Sequence, residues 1–265
     1  MKKIPDKTRI RELLKELRLP AIREHFEQMA AEALAEQSDP QTFLRELLEL
    51  EYRERCEKSI ARRLRESNLP LEKGFDTFNL ARLGRKVVHQ VTVLREGSFL
   101  DRRENVLAFG TPGGGKTHLL AALGQELVRS GRRVYFTSTS LLVQELLRAK
   151  GALRLDKQLK KLAAFDALII DDIGYVQQDR QEMEVLFTLL ATRYERGSIM
   201  LTSNLPFSKW DAIFKDSMTT AAAIDRLVHH SVILELNVPS YRMEQAQKQT
   251  TKNQKGGSDV LSVTQ

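Results

Sequence analysis

A glycine-rich segment near the middle of the chain has the residue types and spacing needed to bind a triphosphate. Residues 110–117 read Gly-Thr-Pro-Gly-Gly-Gly-Lys-Thr and match the pattern G-x-x-x-x-G-K-[ST]. Small residues let successive backbone N–H groups surround the phosphates, and the positive end of a following helix adds to the attraction. We therefore predict a phosphate loop that binds ATP. The predicted nucleotide contacts are Gly110, Thr111, Pro112, Gly113, Gly114, Gly115, Lys116, Thr117 and His118.

Two carboxylates about 55 residues further along complete this chemistry. Asp171 and Asp172 end the apolar segment Leu168-Ile-Ile, as in a Walker B motif. We expect Lys116 to reach the β- and γ-phosphates, and the Thr117 hydroxyl and Asp171 to hold Mg²⁺. Asp172 lies where a carboxylate could orient or deprotonate the attacking water.

Both motifs also have a purely structural interpretation. A glycine-rich turn can simply connect a strand to a helix, and a buried strand can end in a polar turn. The context favours the functional interpretation, because the loop follows the apolar segment 106–109 and precedes a helical pattern over residues 117–129.

The elements that must position these residues follow an alternating pattern. Five short apolar segments recur at intervals of about 28 to 34 residues, with helical patterns between them. This spacing is typical of repeated β-α units and predicts an α/β fold with a parallel sheet. The predicted strands are Asn105–Phe109, Arg133–Thr137, Ala167–Asp171, Ile199–Ser203 and Val232–Leu236.

Composition limits the class of protein. The 265 residues are 42% hydrophobic and 29% charged, which is enough apolar material for a folded core. The single cysteine, Cys56, excludes a disulfide framework and a cysteine-cluster zinc site. Apolar runs are too short to span a membrane, so we expect a cytoplasmic protein without a membrane partner. The net charge of +7 favours a polyanionic partner without establishing one.

The chain divides into four zones. Residues 1–70 have helical periodicity and predict a small helical domain for binding DNA or a partner, in which Ser38 and Gln41 form the capping box of its longest helix. Residues 71–104 form a connector, and residues 105–243 contain the ATP-binding domain. Residues 244–265 are polar and are expected to form a disordered tail.

Taken together, several motifs resemble the IstB family, the AAA+ ATPase helpers of insertion-sequence transposition, which are related to the DnaC helicase loader. The resemblance covers about residues 8–243. It implies a five-stranded parallel sheet in the order 5-1-4-3-2, a preceding helical domain and no complete lid domain. The motifs that carry it are residues 110–118, 171–176, 194–197, 202–207 and 223–230.

The resemblance also implies roles for two further residues. Asn204 would be the sensor-1 residue, and Arg226 would be an arginine finger directed at a neighbouring subunit's nucleotide. The alternatives are a turn after a strand for Asn204, and a surface ion pair with Asp225 or Glu235 for Arg226. Asp172 stands where the family frequently has Glu, which puts the rate of hydrolysis in doubt.

Two basic segments could contact DNA phosphates. Arg154, Lys157 and Lys161 follow helical spacing, which predicts one basic helix face between the second strand and Asp171. A solvated surface face is the alternative for both segments, and glutamates near the second can pair with it. The candidate contacts are Arg148, Arg154, Lys157, Lys160 and Lys161 in the first segment, and Arg55, Lys58, Arg62 and Arg65 in the second. His229 and His230 have no carboxylate or cysteine nearby at metal-ligand spacing, so we expect them to mark a helix end.

These observations predict an ATP-dependent DNA-binding ATPase with ATP and Mg²⁺ as cofactors. The resemblance implies that it would form a homo-oligomer on target DNA, with little sequence preference, and present that DNA to the transposase of the same element. The alternatives are a DnaC-like helicase loader and an ATP-gated scaffold that does not hydrolyse ATP. A metabolic P-loop kinase would leave Arg226 and the basic segment without a role.

Overall fold

The computed structural model describes residues 6–174, 179–210, 217–241 and 243. The chain divides into two compact units, Met1–Arg62 and Arg63–Gln265. Within the described residues, no helix is both long enough and apolar enough to cross a membrane.

The first unit is helical, and helices and strands alternate through most of the second unit. The helices are α1 (Asp6–Glu16), α2 (Pro20–Ala35), α3 (Pro40–Glu66), α4 (Arg85–Arg95), α5 (Ser98–Asp101), α6 (Lys116–Arg129), α7 (Thr139–Gly151), α8 (Leu155–Ala163), α9 (Arg180–Arg193) and α10 (Ser217–Val228). The strands are β1 (Asn105–Gly110), β2 (Val134–Ser138), β3 (Ala167–Ile173), β4 (Ser198–Ser203) and β5 (Ser231–Leu236).

The five strands form one parallel sheet in the order β2-β3-β4-β1-β5. Read from the other edge, this is the predicted order 5-1-4-3-2, so the predicted fold class is confirmed. β1 lies between β4 and β5, and β4 lies between β1 and β3. The carboxyl ends of β1, β3 and β4 therefore meet at one edge of the sheet, where parallel α/β folds bind their ligands.

The sheet is buried on both faces. In β3, Leu168 and Ile170 pack into one apolar cluster, while Ala167 and Ile169 pack into the cluster on the opposite face. This alternation is the two-residue period of a strand, and all four side chains are inaccessible to solvent. Helices cover both faces, so the sheet holds the loops at its edge on a rigid base.

Arg193, the last residue of α9, connects α9 to three other elements at the edge of the sheet where β3 and β4 begin. Arg193 is 2% exposed, and its guanidinium donates to the carbonyl oxygens of four residues over 3.0–3.1 Å. These acceptors are Leu162, Phe165, Asp166 and Ser198. Burial lowers the pKa of Arg193 to about 10. The hydrogen bonds tie the end of α8 and the starts of β3 and β4 to α9.

The first unit has a small core of its own. Ile22, Phe26 and Leu47 are buried together between α2 and α3. Glu51 is also buried, and its Oε2 accepts hydrogen bonds from the backbone N–H groups of Ala21 (2.9 Å) and Ile22 (3.3 Å). The carboxylate thus satisfies two donors in the first turn of α2, where a negative charge is favourable.

One local expectation is corrected. The helix predicted to begin with a capping box of Ser38 and Gln41 begins at Pro40, and the backbone N–H of Thr42 donates to Asp39 Oδ2 (3.2 Å). The predicted connector, residues 71–104, contains α4, α5 and a short 3-10 turn at Leu80–Arg82. Its apolar side chains pack against the cluster that contains Val106 and Ala108 of β1.

Candidate nucleotide-binding site

The predicted phosphate loop joins β1 to α6. Gly113 and Gly115 have φ values of 79° and 92°, a backbone conformation that favours glycine. A Cβ atom on Gly115 would lie 3.0 Å from the Phe78 ring, and one on Gly113 would collide with Ser240. Glycine at these two positions therefore lets the loop adopt this conformation and pack against Phe78 and Ser240 without a clash.

Lys116 begins α6 and is only 8% exposed. Its Nζ donates to the carbonyl oxygens of Gly110 (2.8 Å) and Thr111 (3.0 Å), which belong to the same loop. The ammonium group is therefore held inside the curve of the loop. A phosphate at this position would meet the cation together with the backbone N–H groups that begin α6.

The predicted magnesium ligands are adjacent. Thr117 Oγ1 donates to Asp171 Oδ1 over 2.9 Å, although the two residues are 54 positions apart. Thr202 of β4 donates to the same oxygen over 2.6 Å. A hydroxyl and a carboxylate at this separation form an oxygen donor set that suits Mg²⁺, with phosphate oxygens and water as the remaining ligands.

Asp172 lies on a β-bulge in β3. The pairing of β3 with β4 shifts by one residue between Ile170 and Ile173, and Asp172 has a φ of 64°. Its backbone N–H donates to Thr202 Oγ1 (2.7 Å), and its side chain is exposed. The bulge places consecutive carboxylates in different environments, since Asp171 contacts Thr117 while Asp172 is open to solvent.

Asn204 directly follows β4, between the ends of β1 and β3. Its side-chain oxygen is buried, and it accepts no hydrogen bond from the described part of the chain. A buried amide oxygen without a donor is costly, and such a group is expected where a ligand or water completes the hydrogen bonding. This position is consistent with the predicted sensor role.

Arg226 lies on α10 and packs on its own chain. Its Nη1 donates to the carbonyl oxygen of Ala222 (2.8 Å), and its guanidinium carbon lies 4.8 Å from the centre of the Phe187 ring. Within the described residues, neither Asp225 nor Glu235 forms a salt bridge with it, so the ion pair considered as an alternative is not present there. The side chain is half-buried, and within the described residues it forms no hydrogen bond, ion pair or ring contact with the phosphate loop.

A cavity of about 220 Å³ opens beside the phosphate loop, and most of the residues outside the loop that line it were missed by sequence reasoning. His118 anchors one wall, since its Nε2 lies 2.9 Å from the Gly74 carbonyl oxygen and 3.2 Å from Thr77 Oγ1. The aromatic residues before β1, such as Phe78, were a usable signal in the sequence. Besides residues 113–118, the lining consists of Lys73, Thr77, Phe78, Asn79, Arg82, Leu83, Val238 and Tyr241.

The basic segment before β3 is two helices rather than one. α7 ends at Gly151, α8 begins at Leu155, and Leu153 between them has a φ of 53°. Arg148 is therefore on α7, and Arg154 directly precedes α8. The remaining candidates lie on α8, opposite its buried side chains Leu159 and Leu162. The exposed basic residues of the segment are Arg148, Arg154, Lys157, Lys160 and Lys161.

The basic residues of α3 are partly neutralised by glutamates. Arg55 pairs with Glu51 over 3.0 Å and also donates to the Arg18 carbonyl oxygen. Lys58 pairs with Glu54 over 2.6 Å, and this hydrogen bond raises the pKa of Lys58. Arg62 and Arg65 are exposed on the same helix. The pairing at i, i+4 that sequence reasoning considered as the alternative is thus present for Arg55 and Lys58.

His229 and His230 follow the end of α10, as expected, but the expectation that they lack a carboxylate partner is wrong. Glu195, in the turn between α9 and β4, lies beside both histidines. The sequence did not indicate this, because the carboxylate is more than 30 residues away and only the parallel arrangement of β4 and β5 around β1 brings the two turns together.

The parallel sheet of this order, the phosphate loop at the end of β1 and the carboxylate at the end of β3 define a P-loop ATP-binding protein of the AAA+ class. Comparison with known proteins agrees. A model of the IstB-like ATP binding protein family matches residues 12–249, and the chain belongs to that family.

Relatives are similar over nearly their whole length. An insertion sequence ATP-binding protein of Sinorhizobium fredii is 42% identical over 98% of this chain and 87% of its own. The ATP-binding protein of the insertion sequence IS21 from Pseudomonas aeruginosa is 37% identical over 89% of each chain.

Solved structures share the fold at low identity. The DnaC helicase loader superposes with a TM-score of 0.53 at 19% identity, covering 62% of this chain and 96% of its own. DnaA from Aquifex aeolicus bound to AMPPCP superposes with a TM-score of 0.55 at 21% identity, covering 71% of this chain and 56% of its own. These likenesses support the AAA+ fold.

Proposed function

We propose that this protein is an ATPase that assembles on DNA in an ATP-dependent manner and presents that DNA to the transposase of its insertion sequence. The observation that carries the proposal is the exposed basic face of α8 on a chain that belongs to a family of insertion-sequence ATP-binding proteins.

The residues at the carboxyl edge of the sheet support the nucleotide chemistry. The loop glycines and Lys116 would bind the β- and γ-phosphates, and Thr117 and Asp171 would hold Mg²⁺, which neutralises charge on the phosphates when bound. Asp172, exposed on its bulge, would orient the attacking water. Asn204 has a buried oxygen without a donor in the described chain and would complete its hydrogen bonding in the nucleotide complex.

The separation of apolar and basic side chains on opposite faces of α8 supports contact with DNA. Leu159 and Leu162 anchor the helix in the core, and Lys157, Lys160 and Lys161 lie on its exposed side. Ammonium groups on one face of an anchored helix neutralise phosphates without reading bases. The structure of the replication initiator DnaA, which has a similar fold, has been solved with AMPPCP and single-stranded DNA bound.

Arg226 supports assembly. Within the described residues, the arginine forms no hydrogen bond, ion pair or ring contact with its own phosphate loop, and in the family it would act as a finger on the nucleotide of a neighbouring subunit. ATP would then lie between subunits, and its binding would favour an oligomer on the DNA. The transposase, encoded in the same insertion sequence, would act on the DNA that this oligomer holds.

The test compares two charge-matched triple variants. Replacing Lys157, Lys160 and Lys161 with Ala should weaken binding to every duplex about equally and reduce the slope of log K against log salt. The control variant replaces three other exposed basic residues, Arg85, Lys86 and Arg196, and should keep the wild-type slope.

Both variants lose three positive charges, so a difference between them reports position rather than net charge. An unchanged salt slope in the α8 variant would mean that the basic face of α8 is a solvated surface that does not contact DNA. Strong ATP-dependent DNA binding with no capture of transposase, but with capture of a replicative helicase, would favour the helicase-loader function instead.

A further inference from the structure

A cluster of two imidazoles and one carboxylate lies at the amino-terminal edge of the sheet. One potential ligand atom from each of Glu195, His229 and His230 lies within 4.8 Å of the others, and the two imidazole rings are 4.1 Å apart. All three side chains are exposed. Because the phosphate loop lies at the carboxyl edge, the cluster is separate from the nucleotide-binding site.

The backbone on both sides of the cluster is held in place. The Asn105 backbone N–H donates to the His230 carbonyl oxygen over 2.7 Å, which fixes the turn before β5 to the start of β1. The Arg103 guanidinium donates to the Glu195 carbonyl oxygen, and Glu195 has a φ of 55°. Both turns are therefore positioned by contacts that do not use the three potential ligand groups.

Tyr194 adds a contact of the kind found around metal ligands. Its hydroxyl lies 2.9 Å from His229 Nδ1. Histidines that bind metals usually hydrogen-bond through their second ring nitrogen, and this bond sets the tautomer and the direction of the ring. With Nδ1 held by Tyr194, Nε2 of His229 remains for a metal ion.

We propose that Glu195, His229 and His230 form a binding site for one transition-metal ion of the Zn²⁺ type. Two imidazole nitrogens and one carboxylate oxygen are a common zinc donor set, and imidazole disfavours Mg²⁺ and Ca²⁺, which prefer oxygen. Since the three side chains are exposed, water would complete the coordination.

The position of the site gives the ion a structural consequence. His229 and His230 directly follow α10, the helix that carries Arg226, and Glu195 lies in the turn that leads into β4. A bound ion would therefore link the end of α10 to the α9–β4 turn. An ion that binds only the folded chain also raises its stability by mass action.

The experiment titrates tag-free, full-length protein with Co²⁺ in the absence of nucleotide and follows visible absorption, which reports nitrogen-coordinated Co²⁺. We expect one Co²⁺ per chain, displaced by Zn²⁺. His230→Ala and Glu195→Gln should lose the signal, and Tyr194→Phe should weaken binding about tenfold, as is usual for a residue that orients a ligand. His89→Ala, an exposed histidine elsewhere, is the matched control and should bind normally.

A second measurement keeps the proposal testable if a variant is less stable. Zn²⁺ should raise the thermal unfolding midpoint of the wild type and of Thr117→Val, but not that of Glu195→Gln, whose change lies on the surface. The proposal is overturned if no 1:1 binding occurs, if His230→Ala binds like the wild type, or if Thr117→Val abolishes the signal, because the ion would then occupy the nucleotide site.

Discussion

The hydroxyl of Thr117 donates to Asp171 Oδ1 over 2.9 Å, and this contact joins the first turn of α6 to the end of β3. Thr202 of β4 donates to the same oxygen. One carboxylate oxygen therefore links three elements that are distant in sequence. The proposed magnesium ligands are adjacent without any rearrangement of the backbone, so little ordering free energy would be needed for the ion to bind.

Lys116→Ala tests the phosphate loop. The variant loses the cation held inside the loop by the carbonyl oxygens of Gly110 and Thr111. A hydrogen bond to a charged group contributes about 1.5–3 kcal/mol, so the Kd for ATP should rise about 10- to 100-fold. Calorimetric titration measures it, with the exposed Lys86→Ala as control. An unchanged Kd would reject the assignment of Lys116.

Asp172→Asn separates nucleotide binding from hydrolysis. Asn tolerates the left-handed backbone conformation that Asp172 adopts, and the bond to Thr202 uses the backbone N–H, so the fold should be retained. Without the carboxylate, kcat should fall about 100-fold or more, since general bases contribute about 10²–10⁴.

ATP and DNA affinities of Asp172→Asn should stay near those of the wild type, and the assembled complex should persist on DNA. Steady-state ATPase assays with DNA and transposase measure this. If the wild type itself shows no turnover under those conditions, the protein acts as an ATP-gated scaffold. A normal rate in the variant would assign the catalytic carboxylate elsewhere.

Arg226→Ala tests catalysis between subunits. An arginine finger raises the rate of hydrolysis about 10³- to 10⁵-fold, so the variant should bind ATP normally yet lose hydrolysis. Mixing it with Lys116→Ala should restore part of the activity, because an interface in the mixture can contain one intact Lys116 and one intact Arg226. Neither protein should be active alone.

The control for Arg226 uses its contact within the chain. Phe187→Leu removes the ring under the guanidinium and leaves the arginine in place, so it should retain most of the ATPase activity. No recovery in mixtures that crosslink together would argue against a role in trans. Equal loss in Phe187→Leu would instead assign Arg226 to the packing of α10 on α9.

Arg193→Met tests the buried hydrogen-bonding network at the opposite edge of the sheet. The variant removes a charged donor from the carbonyl oxygens of four residues, and we expect a loss of about 3–5 kcal/mol in the free energy of unfolding. Urea denaturation measures it. Arg196→Met, on an exposed residue three positions later, should change stability by less than about 0.5 kcal/mol. Similar values for both would mean that the network contributes little.

The sequence alone was sufficient to predict the features that depend on residues close together in the chain. The loop from Gly110 to Thr117 and the carboxylate Asp171 were predicted because glycine and hydroxyl spacing and strand periodicity act over a few residues. Five parallel strands then required Gly110, Asp171 and Asn204 to share one edge, while the order of the strands came from the family resemblance. Strand bounds were correct to within about two residues, as expected of ends that fray.

Only the tertiary structure decided the features that join distant residues. The helix break at Leu153, the bulge at Asp172 and the buried guanidinium of Arg193 depend on what packs against each segment. Glu195 meets His229 and His230 because two turns flank neighbouring parts of one sheet, a relation that no spacing in the chain records. The physical reason is that periodicity reports which face of an element is buried, whereas a contact also requires the position of the partner, which the assembled core sets.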